Sequence, residues 1–185
     1  MRESVRCEAR KRVKTFSEDY IYDGSMKIYH NLFKYLEGKV DLTSSKTKVF
    51  VYNSYGNEVR TDMIIDKLLE QGCEVYLPIV RGKVMQTVMI TRDSEYIVGD
   101  FGIMEPVGKI YDGEFDLAIA PLLAYDRELN RMGKGKGYYD RFFAGHIVHN
   151  IVGLAFKKQE VESVCPEPHD FKVHAVINEE EIICE

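Results

Sequence analysis

A three-layer α/β/α sandwich is the fold this chain predicts, and three observations carry that expectation. Six short apolar runs bounded by turn residues, at 48–52, 74–77, 85–90, 116–120, 150–156 and 175–178, read as strands, several of them buried on both faces. Between the first two, residues 61–71 set Met63, Ile64, Leu68 and Leu69 on one helical face, with Gly72 following as a C-terminal stop. A second helix, from about 137 to 143, precedes the fifth run. Strands alternating with helices place the helices on the faces of a largely parallel sheet.

The elements follow in order. Residues 1–15 are basic and helix-compatible; Ser17 is a candidate N-cap, and Ile21, Ile28, Leu32, Phe33 and Leu36 recur after it at helical spacing. Two N-terminal helices within 1–37 are therefore expected to pack on an α/β core. The runs at 48–52 and 74–77, with the helix between them, form a β-α-β unit. Ligands of open α/β sheets collect beyond the carboxyl ends of the strands, which here means 53–60, 78–83, 121–141, 157–159 and 179 onward. No repeat, low-complexity segment or linker divides the chain, and 185 residues suit a single domain, 1–185, that buries a core without disulfide or structural metal.

Composition excludes several classes. A formal net charge of −5 argues against general nucleic-acid binding, which uses basic domains. Cys7, Cys73, Cys165 and Cys184 form no Cys-x-x-Cys pair, so zinc ribbons and dithiol redox sites are unsupported and reduced, cytoplasmic thiols are expected. Residues 1–14 are cationic without an apolar core, and no run of about 18 apolar residues spans a bilayer. The expectation is a cytoplasmic monomer acting on small molecules. His146 and His149 lack the Cys or carboxylate that would complete a zinc site, and there is no Gly-x-Ser-x-Gly elbow or Cys/His nucleophile signature. Covalent catalysis is not indicated.

One stretch stands out from this acidic background. Residues 130–141 read Asn-Arg-Met-Gly-Lys-Gly-Lys-Gly-Tyr-Tyr-Asp-Arg. Gly133, Gly135 and Gly137 permit positive φ and close backbone approach, while Arg131, Lys134 and Lys136 can each meet a phosphate oxygen. Neither a Walker loop nor a dinucleotide fingerprint fits the spacing, so this is a polyphosphate cradle of another kind, with Tyr138 and Tyr139 as a stacking surface. Asp140 directly after it and Asp170, in Glu167-Pro168-His169-Asp170, form a carboxylate pair of the kind that holds magnesium beside substrate phosphates. Taken singly, Asp140 also suits a helix dipole and Asp170 a turn. Glu58 can accept hydrogen bonds from a heterocycle with N–H groups, or remain a solvated loop carboxylate. Arg2 and Arg6 share a helical face that can close on phosphate oxygens or stay in solvent.

These residues resemble the 5-formyltetrahydrofolate cyclo-ligase family, also called 5,10-methenyltetrahydrofolate synthetase, whose hallmark is an Arg-x-Gly-x-Gly-x-Gly-Tyr-Tyr-Asp run, here at 131–140. The likeness extends through Arg2 and Arg6, Asn57-Glu58-x-x-Thr61, Leu77-Pro78, Glu105-Pro106, 116–121, Ala155-Phe156 with Gln159, and Glu167-x-x-Asp170. The resemblance implies a fold of the NagB/RpiA/CoA-transferase group and an ATP- and magnesium-dependent closure of 5-formyltetrahydrofolate to 5,10-methenyltetrahydrofolate, with release of ADP and phosphate. By position it implies ATP contacts at Arg2, Arg6, Arg131, Met132, Gly133, Lys134, Gly135, Lys136, Gly137, Tyr138 and Tyr139, with Arg131, Lys134 and Lys136 serving the transferring phosphate. It implies folate contacts at Asn53, Glu58, Tyr138 and Tyr139, and magnesium on Asp140 and Asp170. Four positions depart from the pattern: Arg2 where Lys is commoner, Asn53 where the residue is often apolar, Arg60 where an acid is common, and Tyr125 in place of Phe. A member acting on another formylated heterocycle, or a nucleotide- or folate-binding module without turnover, stays open at this level.

Overall fold

The computed structural model describes residues 1–185. Helices α1 (Arg2–Val13) and α2 (Glu18–Leu36) lead into β1 (Lys48–Val51), α3 (Asp62–Glu70) and β2 (Glu74–Arg81). There follow β3 (Val84–Ile90), β4 (Tyr96–Val98), β5 (Met104–Pro106), β6 (Ile110–Tyr111) and β7 (Phe115–Pro121). The chain continues through β8 (Ala124–Tyr125), β9 (Arg131–Met132), α4 (Tyr138–Gly145), β10 (Val148–Leu154), β11 (Ala175–Ile177) and β12 (Ile182–Cys184).

The fold is mixed α/β, with one central sheet flanked by helices. Its strand order is β12-β11-β10-β7-β1-β2-β3-β6; β11, β10, β7, β1 and β2 run parallel, and β12 and β3 are antiparallel to their neighbours. Alternation along the strands supplies two apolar faces. Val49, Val51, Val75, Leu77, Leu117 and Ile119 pack under α2 and α3, whereas Phe50, Tyr76, Phe115, Ala118 and Ile151 pack with Phe142 and Phe143 of α4. Crossovers between parallel strands are right-handed. The step from β1 to β2 through α3 and the step from β7 to β10 through α4 move in opposite directions across the sheet, so their helices fall on opposite faces.

Each predicted helix and each of the six predicted strands is present. The Ser17 hydroxyl accepts the Tyr20 N–H at 3.2 Å, which satisfies one of the free donors at the start of α2. Ile21, Ile28, Leu32 and Leu36 are 0–1% exposed, each such burial stabilising the fold by about 1.5–3 kcal/mol. One boundary is corrected. The run at 74–77 does not end in a loop at 78–83: β2 continues through Pro78 to Arg81 and turns at Gly82 (φ 61°) into antiparallel β3. Pairing with β1 covers only Glu74, Val75 and Tyr76, so Pro78 has one strand neighbour and its missing N–H is tolerated. No helix is long and apolar enough to cross a membrane.

Candidate active site

Between β1 and β7 the chain's direction across the sheet reverses, and a cleft opens there at the carboxyl edge. Its floor is Tyr52 and Asn53 beyond β1, Pro78 and Val80 on β2, and Pro121 and Leu122 at the end of β7; its volume is about 260 Å³. This is where a doubly wound sheet gathers its ligands. Every residue implicated by the sequence lines it except Met132 and Asp170.

Arg131 is placed by a small hairpin. The buried Asp126 carboxylate accepts the N–H groups of Glu128 and Asn130, both at 3.1 Å, and that of Val164, also at 3.1 Å. This closes a turn in which Leu129 takes φ 64° and delivers Arg131 on β9. Its side chain, 2% exposed, pairs with Asp140 at 2.5 Å, and its guanidinium lies 5.5 Å from the Phe143 ring centroid. Met132 points the other way, fully buried against Ala9, Leu123, Ala124 and Val164. Strand alternation removes its side chain from the cleft that the other residues with an implied ATP contact line.

The glycine loop then crosses the mouth of the cleft. Gly135 (φ 94°) and Gly137 (φ 66°) adopt the expected positive φ, but Gly133 does not. Gly135 brings its backbone against α1: a Cβ there would lie 3.4 Å from Arg6 Nε and 3.5 Å from Arg10 Nη2. Gly137 precedes the first turn of α4, so Tyr138 and Tyr139 start a helix facing the cleft. The Tyr138 hydroxyl donates to the Gly82 carbonyl at 2.8 Å. Burial, then the negative charge of Glu58, pushes the Tyr139 phenol well above its ordinary pKa, keeping it neutral.

The opposite wall is the 52–61 loop. The Thr61 hydroxyl donates to the Tyr52 carbonyl at 2.8 Å and accepts the Ser54 N–H at 3.1 Å; these bonds shape the loop that presents Glu58. Lys134 Nζ lies 2.7 Å from Glu58 Oε1 and 3.9 Å from the Tyr55 ring centroid. Burial alone would lower the Lys134 pKa, but Glu58 and Tyr55 outweigh it and hold the ammonium above its usual value. Asn53 donates to the Met104 carbonyl at 3.0 Å, so its amide braces the β4–β5 hairpin.

Arg2 donates to both Asp170 oxygens, at 2.5 and 2.9 Å, and to the Cys165 carbonyl at 2.7 Å. Burial would push the Asp170 carboxyl up; the Arg2 guanidinium and the Glu167 N–H prevail and hold it below the ordinary value. Asp170 thus reaches the cleft through Arg2. Asp140 and Asp170 offer hard carboxylate oxygens, the donor type magnesium takes, and each is neutralised by an arginine. Glu167, His169 and Asp170 also bring one ligand atom each within 4.8 Å of the others. The Nε–H groups of Arg2, Arg6 and Arg131 are buried without a partner. Such donors cost about 1–3 kcal/mol each when unsatisfied, and all three belong to residues that line one cleft.

Three contributors escaped the sequence reading. Arg10 donates to the Lys134 carbonyl at 2.7 Å; its spacing of four from Arg6 and eight from Arg2 on one helix was the available signal. Tyr55 lies beside Lys134, and the ring centroid of Phe101, at the tip between β4 and β5, lies 3.6 Å from Lys136 Nζ. Nothing in the aperiodic segment around Phe101 announces that contact.

Fold and site together define an α/β protein whose carboxyl-edge cleft gathers Arg2, Arg6, Arg131, Lys134 and Lys136 beside the carboxylates Glu58 and Asp140. A model of the 5-formyltetrahydrofolate cyclo-ligase family matches residues 2–179. The chain is 30% identical to the probable 5-formyltetrahydrofolate cyclo-ligase of Caenorhabditis elegans, over 97% of this chain and 95% of that protein. It superposes on the NMR structure of Aquifex aeolicus 5,10-methenyltetrahydrofolate synthetase with a TM-score of 0.81 and 29% identity, covering 98% of this chain and 91% of that one. The synthetase structure from Mycoplasma pneumoniae, at 20% identity, shares the fold with a TM-score of 0.74 over 97% of this chain and 99% of that one. The chain belongs to the 5-formyltetrahydrofolate cyclo-ligase family.

Proposed function

We infer that the protein closes 5-formyltetrahydrofolate to 5,10-methenyltetrahydrofolate while converting ATP to ADP and phosphate. Family membership supplies the reaction. The observation that supports its placement is the convergence, at one carboxyl-edge cleft, of three unpartnered arginine Nε–H donors with Lys134, Lys136 and Glu58. The formyl oxygen attacks the γ-phosphorus as the bond to ADP breaks. The N10 lone pair then closes on the formyl carbon, N10 loses its proton, and the carbon–oxygen bond breaks to release phosphate. No protein nucleophile is needed, and such transfer depends on positioning and charge neutralisation.

Arg2, Arg6 and Arg131 donate to phosphate oxygens, Lys134 and Lys136 neutralise the transferring group, and the 131–139 backbone cradles the nucleotide. Glu58 accepts N–H groups of the folate ring, Tyr138 and Tyr139 flank it, and Asn53 acts at this half-site through the hairpin it braces. Asp140 and Asp170 would hold magnesium, which when bound adds positive charge beside the phosphates. We read residues 1–185 as one domain of the NagB/RpiA/CoA-transferase type, with α1 and α2 packed on the core, working as a cytoplasmic monomer; four free cysteines fit a reducing compartment.

Absorbance of the methenyl chromophore, followed with ATP and with ATP withheld, tests this assignment. ATP-dependent growth of the signal is expected, and its absence with purified, folded protein refutes the reading. Lys136→Met should depress turnover at least tenfold while leaving the thermal midpoint in place, because an exposed loop charge contributes within about 0.5 kcal/mol to folding.

A further inference from the structure

We propose that the Lys134–Glu58 ion pair couples the two halves of the site, so that nucleotide and folate each strengthen the binding of the other. The proposal rests on the functional reading above and adds what passes between the two ligands.

Lys134 spans the cleft. Its main chain belongs to the phosphate side, where Arg10 holds its carbonyl at 2.7 Å and the next residue, Gly135, abuts Arg6. Its ammonium instead rests on the folate side, 2.7 Å from Glu58 Oε1 and against the Tyr55 ring. The other Glu58 oxygen accepts the Tyr55 N–H at 3.1 Å. Both carboxylate oxygens are therefore engaged, one of them by the lysine assigned to phosphate.

This arrangement makes each ligand complete the other's half. Phosphate oxygens arriving beside Arg6 and Arg131 give the ammonium a more highly charged partner on its own side of the cleft. Once it turns there, Glu58, whose side chain is 13% exposed, keeps only the Tyr55 N–H and lacks a countercharge. The amino and ring N–H groups of a pterin are suitable replacements. Folate arriving alone must instead displace the ammonium while no phosphate is present to receive it. Linkage requires the effect to be reciprocal, and couplings of this kind are roughly 5–150-fold.

Isothermal titration calorimetry with 5-formyltetrahydrofolate, in the presence and absence of magnesium and the non-hydrolysable β,γ-imido analogue of ATP, measures the coupling. For the wild type, the folate Kd should fall at least roughly fivefold when the analogue is present, and the analogue Kd should fall by the same factor with folate. In Lys134→Met the competing ammonium is gone: folate alone should bind more tightly than to the wild type, and the analogue should no longer change its affinity. Lys134→Gln serves the same comparison if the first variant fails to fold. Equal folate affinities with and without analogue in the wild type, or coupling retained in the variant, would overturn the proposal. If both ligands bind independently while the methenyl product still forms, the coupling falls and the assigned activity stands. If folate binds under no condition and no product forms, both fall.

Discussion

The three glycines of the phosphate loop are not equivalent, and substituting them one at a time exposes the difference. Gly135 has φ 94°, and a Cβ there would lie 3.4 Å from Arg6 Nε and 3.5 Å from Arg10 Nη2. Alanine in the left-handed region costs about 1–2 kcal/mol, and the two guanidinium ends are flexible enough to give way by a few tenths of an ångström, so the backbone carries the cost. Gly133 has no positive φ and nothing within 4 Å of its would-be Cβ, so alanine should leave stability within about 0.5 kcal/mol. The penalty at Gly135 is expressed either in folding or in the loop. If the loop holds its shape, urea denaturation should show about 1–2 kcal/mol lost; if it relaxes, the unfolding midpoint stays and kcat/KM for ATP drops about 5–30-fold, the same free energy read as a ratio. Both quantities are measured on Gly133→Ala and Gly135→Ala in parallel. Identical stability and identical kcat/KM in the two variants would refute the argument that backbone conformation at Gly135 shapes the phosphate cradle.

Three further outcomes follow from the geometry. In α2, a Cβ at Gly24 would lie 2.8 Å from the Phe156 ring, so Gly24→Ala should destabilise by about 1–3 kcal/mol through overpacking, read as a lower urea midpoint. Arg10→Ala releases the Lys134 carbonyl; KM for ATP should rise several-fold with KM for folate nearly constant, and Arg10→Lys should recover part of the loss. Asp170 titrates below its ordinary value of 3.8 in the folded protein, so its pairing stabilises the fold at neutral pH, and that contribution is lost as pH falls through the depressed folded value. Asp170→Asn should therefore be less stable than wild type at pH 7, by about 1.5–3 kcal/mol, with the gap narrowing as pH falls below the ordinary carboxyl value; a gap of unchanged size throughout acid titration would contradict this.

The layers of the fold were legible because period and burial agree. Residues 117–120 are apolar at every position, as a strand covered on both faces is, and Ser17 marks the start of α2 by the bond its hydroxyl accepts from Tyr20. The small strands were not legible for a corresponding reason. In β4 every residue is exposed, and the two-residue pairs of β8 with β9 arise because the Asp126 carboxylate gathers three backbone N–H groups from residues that include the distant Val164. A window of local sequence contains no trace of such a contact. The length of β2 was hidden likewise, since Pro78 signals an end only until one knows that β1 has already left its side.

The site was legible as an inventory of residue types but not as a set of partners. The cations of the glycine loop and the Glu58 carboxylate could be picked out singly, yet the partner each takes depends on pairs separated by many residues: Arg2 with Asp170, Lys134 with Glu58, Asn53 with Met104. Arg131 and Asp140 are the exception, nine positions apart and joined by the glycine loop and the first turn of α4. These pairings have a physical logic that the inventory lacks. The arginines and lysines of the cleft would repel one another if they stood unopposed, and Asp170, Asp140 and Glu58 lie against Arg2, Arg131 and Lys134. On the proposed function, phosphate and folate would therefore bind by exchanging partners with Arg2, Arg131 and Lys134, whose charges carboxylates already oppose.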